Sequence, residues 1–276
     1  MIDKSIPAAV GIFDSGVGGL SVLRAARGLL SCHPIIYLAD QAHVPYGAHS
    51  KQEVRQFSES ITRFLLEKGA RIIVVACNSA SAAALLHLRE TFPQVPFVGM
   101  EPAVKPAAAG THTGVIGVLA TPVTFQSELY ASVVMRFAQD VKVLQDTCPG
   151  LVQQIEAGQL KAAETREILE RALHPMMKLG VDTIVMGCTH YPFVIPLIQE
   201  IVGPSVQVID PAPAVARQTG RLLEAHGLRS TACGAPAGIT LYTTGDPYLL
   251  GEMLPTLLGE MHVVQYAKWE SGILHA

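Results

Sequence analysis

Short apolar runs alternate with helix-like segments along the whole chain, and this alternation constrains the fold more than any other feature. Ala8–Phe13 and Ile35–Ala39 are typical of buried strands. Further along, Phe57, Ile61 and Phe64 have the spacing of the apolar side of a helix. Strands that alternate with helices are typical of parallel sheets covered by helices. We therefore predict an α/β fold with mostly parallel sheets flanked by helices.

A weak internal repeat predicts two similar domains. Gly11–Ser15 resembles Gly117–Thr121, and Ile72–Asn78 resembles Thr183–Thr189. The two offsets are similar, at roughly 110 residues, which is typical of duplicated α/β units. Because ligands of open α/β sheets bind beyond the carboxyl ends of the strands, we expect two pseudo-two-fold-related domains with the active site in the cleft between them.

Composition and cysteine usage exclude several classes of protein. The 276 residues carry a net charge of −3 without a basic block, so no nucleic-acid partner is expected. The apolar stretch Ala70–Leu86 is interrupted at its centre by Asn78, Ser79 and Ser81, so we expect a buried strand and helix rather than a membrane span. Five cysteines without a CxxC motif fit neither a disulfide framework nor a zinc ribbon, which favours free thiols in a reducing cytoplasm.

Two cysteines occupy equivalent places in the repeat, and they are the strongest candidates for chemistry. Cys77 and Cys188 each follow a run of β-formers and precede a polar residue, so each is expected at the end of a strand that leads into a helix. A helix N-terminus there would stabilise a thiolate. A single cysteine is more often a buried core residue. The matched pair instead favours two-base racemisation, in which one thiolate removes an α-proton and the other thiol returns one from the opposite face.

Two loops that follow strands are candidates for substrate binding. The glycine-rich segment Asp14–Gly19 joins a strand to a helix whose N–H groups suit a carboxylate, although a plain tight turn is the alternative. It is neither a dinucleotide-binding motif nor a P-loop. The second segment, Asp40–Gly47, is either part of the site or a structural Pro-Tyr-Gly turn. His190 could orient Cys188 or relay protons to it, whereas Glu156 alone is typical of a surface acid. No set of residues predicts a metal site.

Five motifs together resemble a known family: Asp14-Ser15-Gly16-Val17-Gly18-Gly19, Pro45-Tyr46-Gly47, Cys77-Asn78-Ser79-Ala80-Ser81, Ala120-Thr121-Pro122-Val123-Thr124 and Gly187-Cys188-Thr189-His190-Tyr191-Pro192. In order and spacing they are similar to glutamate racemases of the aspartate/glutamate racemase superfamily. The resemblance runs from about residue 10 to 215, and the C-terminal part carries little of it. It implies that the tail returns to the first domain, so the domains would be residues 1–99 with 211–276, and residues 100–210.

The resemblance also implies an activity and a set of roles. The activity is the interconversion of L-glutamate and D-glutamate without pyridoxal phosphate or any other cofactor, which supplies D-glutamate for peptidoglycan. The remaining implied partner is a second copy of the chain, in a homodimer. The implied catalytic residues are Cys77 and Cys188, assisted by Asp14 and His190 and by Asp40 and Glu156. The implied substrate contacts are Asp14, Ser15, Pro45, Tyr46, Gly47, Asn78, Ser79, Thr121, Thr189 and His190.

Two alternatives stay open at this point. The first is an aspartate racemase or another isomerase of the superfamily, because the size of the pocket is not visible in one sequence. The second is a non-catalytic carboxylate-binding protein of similar two-domain shape. Paired thiols argue against the second, since binding alone needs no paired bases.

Overall fold

The computed structural model describes residues 7–230 and 235–276. The chain separates into two compact units, Met1–Met100 with Ala212–Ala276 and Glu101–Pro211. Each unit is built around a single parallel sheet.

Strands and helices alternate through both units. The strands are β1 (Ala9–Asp14), β2 (Ile35–Ala39), β3 (Ala70–Val75), β4 (Phe97–Gly99), β5 (Val115–Leu119), β6 (Lys142–Asp146), β7 (Thr183–Met186), β8 (Gln207–Ile209), β9 (Ile239–Thr243), β10 (Val264–Tyr266), β11 (Lys268–Glu270) and β12 (Ile273–His275). The α-helices are α1 (Leu20–Leu29), α2 (Lys51–Glu67), α3 (Asn78–Thr91), α4 (Val104–Gly110), α5 (Pro122–Phe125), α6 (Glu128–Phe137), α7 (Leu151–Glu156), α8 (Ala163–Lys178), α9 (Ile195–Val202), α10 (Ala212–Ala225) and α11 (Pro247–Leu257). Short 3₁₀ turns occupy Gln41–His43, Tyr46–Ala48 and Tyr191–Val194.

The sheet of the first unit has the strand order β10-β9-β2-β1-β3-β4, and that of the second has the order β6-β5-β7-β8. Every pairing within these two sheets is parallel. In each sheet a central strand, β1 or β5, is flanked by strands on both sides, which explains its near-continuous apolar sequence. The carboxyl ends of neighbouring strands therefore meet at one edge, and the predicted α/β class is confirmed.

Helix α2 shows how local sequence and packing agree. At its start, the Ser50 hydroxyl accepts from the backbone N–H of Glu53, and the Glu53 carboxylate accepts from the N–H of Ser50. The spacing of Ser50 and Glu53 in the sequence predicts this capping box, and the structure confirms it. Such a cap typically stabilises a helix by about 1 kcal/mol. The apolar side of α2 buries Ile61, Phe64 and Leu65 in the core of the first unit, and each contributes about 1.5–3 kcal/mol through burial.

Some predicted boundaries are wrong for identifiable reasons. The sequence predicts one helix over residues 124–137, but the structure divides this segment between α5 and α6. The division arises because the Ser127 hydroxyl accepts from Tyr130 N–H and starts a new helix. Three elements, α4, β11 and β12, were not predicted. Helix α4 is short and contains Pro106, and β11 and β12 form a small antiparallel hairpin of three residues a side.

The expectation that all cysteines are free is wrong for Cys32, which is disulfide-bonded. Cys77, Cys148 and Cys188 are free and buried, whereas Cys233 lies outside the described residues. Across residues 7–230 and 235–276, none of the helices combines the length and apolarity needed to cross a bilayer.

Candidate active site

Cys77 lies in a short hydrogen-bonded chain that ends on a carboxylate. Its thiol donates to Ser15 Oγ at 3.8 Å, and the Ser15 hydroxyl donates to Asp14 Oδ1 at 3.2 Å. The N–H of Gly16 donates to the same Asp14 oxygen at 2.8 Å. Asp14 ends β1 and Cys77 follows β3, its neighbour in the sheet, so the parallel register brings these three buried side chains together. The chain offers Cys77 a polar route for a proton.

Cys77 also caps the N-terminus of α3. Its sulfur accepts from the backbone N–H of Ala80 at 3.4 Å. The first turn of a helix carries partial positive charge, so this position favours a negatively charged sulfur. The predicted placement of Cys77, at the end of a strand and the start of a helix, is confirmed.

Gly19, which ends the glycine-rich loop after β1, is packed too tightly to be replaced by a residue with a side chain. A Cβ atom on Gly19 would lie 2.7 Å from Asp14 Cβ and 3.0 Å from the Tyr37 hydroxyl. That hydroxyl donates to the carbonyl oxygen of Gly16 at 2.8 Å. The loop is therefore packed against Asp14, and its Gly16 N–H holds the Asp14 carboxylate in place.

Asp40 accepts four hydrogen bonds and is fully buried. Its Oδ2 accepts from Tyr46 Oη at 2.6 Å and from His43 Nδ1 at 2.9 Å. Its Oδ1 accepts from Thr244 Oγ1 and from Trp269 Nε1, each at 2.8 Å. A carboxylate has about four acceptor positions. Both oxygens are thus engaged, and Asp40 is an anchor for the loop that follows β2.

Tyr46, held by Asp40, starts the 3₁₀ turn at the end of this loop and is buried. Burial, and then the charge and hydrogen bond of Asp40, raise the pKa of Tyr46 well above its ordinary value. Its hydroxyl therefore stays protonated and acts as a donor. Pro45 and Gly47, the other predicted contacts of this loop, are half-buried.

In the first unit, the side chain of Asn78 is buried at the start of α3 and lacks a partner among the described residues. Its amide oxygen and nitrogen are both buried, and neither has a hydrogen-bond partner among the described residues. Ser79, the next residue, is buried as well. An unsatisfied buried polar group costs about 1–3 kcal/mol, so a site that retains one is typical of ligand binding.

In the second unit, Cys188 has a basic partner. It follows β7, and its sulfur lies 3.7 Å from Nδ1 of His190. The other ring nitrogen of His190, Nε2, lies 2.5 Å from Oε1 of Glu156. Glu156 ends α7 and its side chain is only 13% exposed, so its appearance in the sequence as a surface acid is misleading.

The ionisation of His190 follows from these two contacts. Burial by itself lowers the pKa of the imidazole, but the hydrogen bonds to Cys188 and Glu156 and the charge of Glu156 outweigh it, so the pKa lies well above its ordinary value. Protonated His190 donates through both nitrogens, to Glu156 and to Cys188. The imidazolium thus places a positive charge beside the sulfur of Cys188.

The helix predicted directly after Cys188 is absent. A turn and the 3₁₀ segment Tyr191–Val194 follow, and α9 begins only at Ile195. Pro192 and Pro196 lack the N–H groups that a continuous α-helix would use, which favours the interrupted geometry. The sulfur of Cys188 is therefore not an α-helix cap.

The remaining predicted residues of the second unit lie at strand ends too. Thr121 follows β5, with its hydroxyl 3.1 Å from that of Thr124, and Thr189 is buried beside Cys188. A third free thiol, Cys148, follows β6. Burial, and then Asp146, raise the pKa of the Cys148 thiol, so it stays protonated. Within the described part of the chain, no group of three or more His, Cys, Asp and Glu side chains is placed to hold a metal ion.

Comparisons with known proteins identify relatives along nearly the whole chain. The family model described as Asp/Glu/Hydantoin racemase matches residues 20–219. A glutamate racemase of Ectopseudomonas mendocina (strain ymp) is 52% identical over 254 residues, which cover 92% of this chain and 95% of that protein. Among solved structures, Escherichia coli glutamate racemase in complex with L-glutamate and an activator, UDP-MurNAc-ala, is 30% identical, with a TM-score of 0.82 over 94% of this chain and 97% of that one. The Francisella tularensis glutamate racemase in complex with D-glutamate is 26% identical, with a TM-score of 0.81 over 96% and 98% of the two chains.

Proposed function

The chain belongs to the Asp/Glu/hydantoin racemase family, and we propose that it interconverts L-glutamate and D-glutamate by proton transfer at the α-carbon. It is an amino-acid racemase, hence an isomerase. Its relatives from E. coli and F. tularensis bind L-glutamate and D-glutamate, respectively. The D-glutamate produced would supply peptidoglycan synthesis.

The observation that carries this proposal is that each of two buried thiols has its own hydrogen-bond partners. Cys77 contacts Ser15 and the N-terminus of α3, and Cys188 contacts the imidazole of His190. A protein that only binds a carboxylate needs neither arrangement. General acid–base catalysis requires proton-transfer groups held in place by defined polar contacts, and both thiols have such contacts.

The proposed reaction moves one proton on each face of the α-carbon. Starting from L-glutamate, the Cys188 thiolate removes the α-proton and becomes a thiol, and the electron pair of the C–H bond remains on the substrate as a carbanion. The Cys77 thiol then delivers its proton to the opposite face and becomes a thiolate. Starting from D-glutamate, the two thiols exchange roles. No metal, oxidant or pyridoxal phosphate enters this balance.

The other residues have supporting roles in this proposal. The charge of His190 is stabilised by Glu156 and lies beside the sulfur of Cys188, which acts as the base on L-glutamate. Ser15, which itself donates to Asp14, accepts from the Cys77 thiol and orients it. The buried amide of Asn78 supplies the hydrogen bonds that the substrate would satisfy. The proposed substrate contacts are Asp14, Ser15, Pro45, Tyr46, Gly47, Asn78, Ser79, Thr121, Thr189 and His190.

The proposal extends to assembly and location, where it rests on the family resemblance. We infer a homodimer in the cytoplasm. Sedimentation velocity on the purified chain checks the assembly: a dimer at micromolar concentration supports it, and a monomer at all concentrations contradicts it.

The direct test of the activity uses the purified protein without added cofactor. L-glutamate is incubated with the enzyme, and D-glutamate is measured by chiral chromatography, with L-aspartate in a parallel reaction. Conversion of L-glutamate to an equal mixture of enantiomers supports the proposal. Preferential conversion of L-aspartate would contradict the choice of substrate, and conversion of neither would contradict a racemase of these two amino acids.

A further inference from the structure

Thr244 and Trp269 belong to no motif of the sequence, yet both donate hydrogen bonds to Asp40. Thr244 Oγ1 and Trp269 Nε1 each lie 2.8 Å from Asp40 Oδ1. Thr244 follows β9 and Trp269 lies in β11, beyond the stretch of chain that carries the family motifs. Two donors from the C-terminal part of the chain thus converge on one oxygen atom.

The other oxygen of the same carboxylate holds the loop that follows β2. Asp40 Oδ2 accepts from Tyr46 Oη at 2.6 Å and from His43 Nδ1 at 2.9 Å. Asp40 is 0% exposed, so its carboxylate depends on these protein donors for its hydrogen bonds. One rigid carboxylate therefore joins the C-terminal segment to Tyr46.

Aromatic packing fixes the indole of Trp269 in place. Its ring meets the rings of His43 and Phe57 edge-on, with centroids 5.1 Å and 5.8 Å away, and His43 itself stacks on Phe57 at 3.9 Å. The paired strand β12 attaches the hairpin to α2, because the N–H of Leu274 donates to Ser60 Oγ at 3.1 Å. The indole N–H is thus aimed at Asp40 by contacts on both sides.

We propose that Trp269 is a positioning residue, which acts through Asp40 to hold the hydroxyl of Tyr46 and the 41–47 loop in the arrangement that binds substrate. The proposal rests on the proposed function, since Tyr46 is a substrate contact only there. Trp269 itself touches no substrate in this account. A purely structural Trp269 would instead support the fold of the hairpin and leave substrate affinity unchanged.

The first test is Trp269→Phe, which keeps an aromatic ring against His43 and Phe57 but removes the N–H donor. We expect KM for glutamate to rise about tenfold and kcat to change less than about threefold, because the lost interaction acts on binding. The backbone amides of residues 41–48 should exchange with deuterium about tenfold faster, because the loop opens more readily. The matched control is Tyr266→Phe, which removes one polar group from an aromatic ring that is 52% exposed and should change neither quantity.

A second variant approaches the same oxygen from the other donor. Thr244→Val removes the hydroxyl that donates to Asp40 Oδ1 and should also raise KM. Because both donors act on one atom, the double variant should raise KM by less than the product of the two single effects. If Trp269→Phe does not fold, the rise in KM and in amide exchange of Thr244→Val decides the test.

The possible results separate this inference from the proposed function. An unchanged KM and unchanged amide exchange in folded Trp269→Phe would overturn the positioning role, as would equal effects in Tyr266→Phe. Wild-type protein that does not racemise glutamate would contradict the proposed function alone. In that case faster exchange of residues 41–48 in Trp269→Phe, but not in Tyr266→Phe, still supports the coupling, and its absence overturns it.

Discussion

Cys77 and Cys188 have different surroundings, although they occupy equivalent places in the two sheets. Cys77 caps an α-helix and contacts a neutral hydroxyl, whereas Cys188 precedes a 3₁₀ turn and contacts a histidine whose pKa is raised. The environment of Cys77 uses the helix N-terminus to favour negative charge. The environment of Cys188 uses an imidazolium instead. Equivalent positions in a repeated fold can therefore reach the same chemistry by different physical means.

This difference implies that the two thiols respond differently to pH and to substitution. A helix N-terminus does not titrate, so its effect on Cys77 is constant over the pH range in which the protein is folded. The effect of His190 on Cys188 ends when the imidazole loses its proton.

The largest effect is expected where the thiols themselves are changed. Cys77→Ser and Cys188→Ser should each lower racemisation of glutamate by at least about 10³-fold, because an alcohol is too weak an acid to replace a thiol in proton transfer. Cys148→Ser, at a buried thiol outside the proposed mechanism, is the control and should keep activity within about threefold of wild type. Full turnover in either of the first two variants would contradict the two-thiol mechanism.

The next largest effect is expected at the carboxylate that holds His190. Glu156→Gln removes the charge and weakens the hydrogen bond that raise the pKa of His190. The imidazolium is present below its pKa and is lost as the pH rises through it, so a lower pKa moves this loss to lower pH. We expect kcat to fall about 30-fold near pH 8 and the alkaline limb of the pH–rate profile to shift to lower pH. An unchanged alkaline limb would show that His190 does not control Cys188.

A smaller effect, mainly on binding, is expected at Asn78. Asn78→Ala removes a buried amide that has no partner among the described residues, so KM should rise about tenfold while kcat changes less. Since no hydrogen bond to the described residues is lost, the free energy of unfolding without substrate should stay within about 1 kcal/mol of wild type. A large loss of stability without a change in KM, measured by urea unfolding and steady-state kinetics, would assign Asn78 to the core.

The smallest effect is expected at the hydroxyl beside Cys77. Ser15→Ala removes a hydrogen bond between neutral groups, which contributes about 1 kcal/mol, so kcat should fall about fivefold. The alkaline limb of the pH–rate profile should stay in place, in contrast to Glu156→Gln. A shift of equal size in both variants would remove the distinction between the two thiol environments.

The parts of the fold visible in the sequence are those with strong local patterns. Apolar runs marked the strands of both sheets, and the Ser50–Glu53 pair marked the start of α2. The hairpin of β11 and β12 was not predicted, because its strands are three residues long and mostly exposed. The turn between Cys188 and α9 was not predicted, because the positions of the prolines there are compatible with either a helix or a turn.

Sequence motifs predicted which residues belong to the site, but not the contacts between them. The predicted resemblance to glutamate racemases is confirmed by the relatives. The repeat, the placement at strand ends and the polar neighbours together singled out the two thiols. The contacts that define their surroundings join distant residues: Glu156 and His190 are 34 residues apart, and Asp40 and Trp269 are 229 apart. Spacing along the chain carries no information on such pairs, because tertiary packing alone brings them together.

Racemisation of L-glutamate in D₂O is the most direct test of whether two thiols act on opposite faces of one α-carbon. The reaction is stopped after a small fraction of turnover, and both enantiomers are separated and analysed by mass spectrometry. In D₂O the donating thiol carries a deuteron from solvent, so D-glutamate formed early should hold one deuterium at Cα. The other thiol holds the proton taken from L-glutamate, so the remaining L-glutamate should hold almost no deuterium. Early D-glutamate that retains the original proton, or deuterium that enters L-glutamate as fast as D-glutamate forms, would indicate a single base and contradict the account.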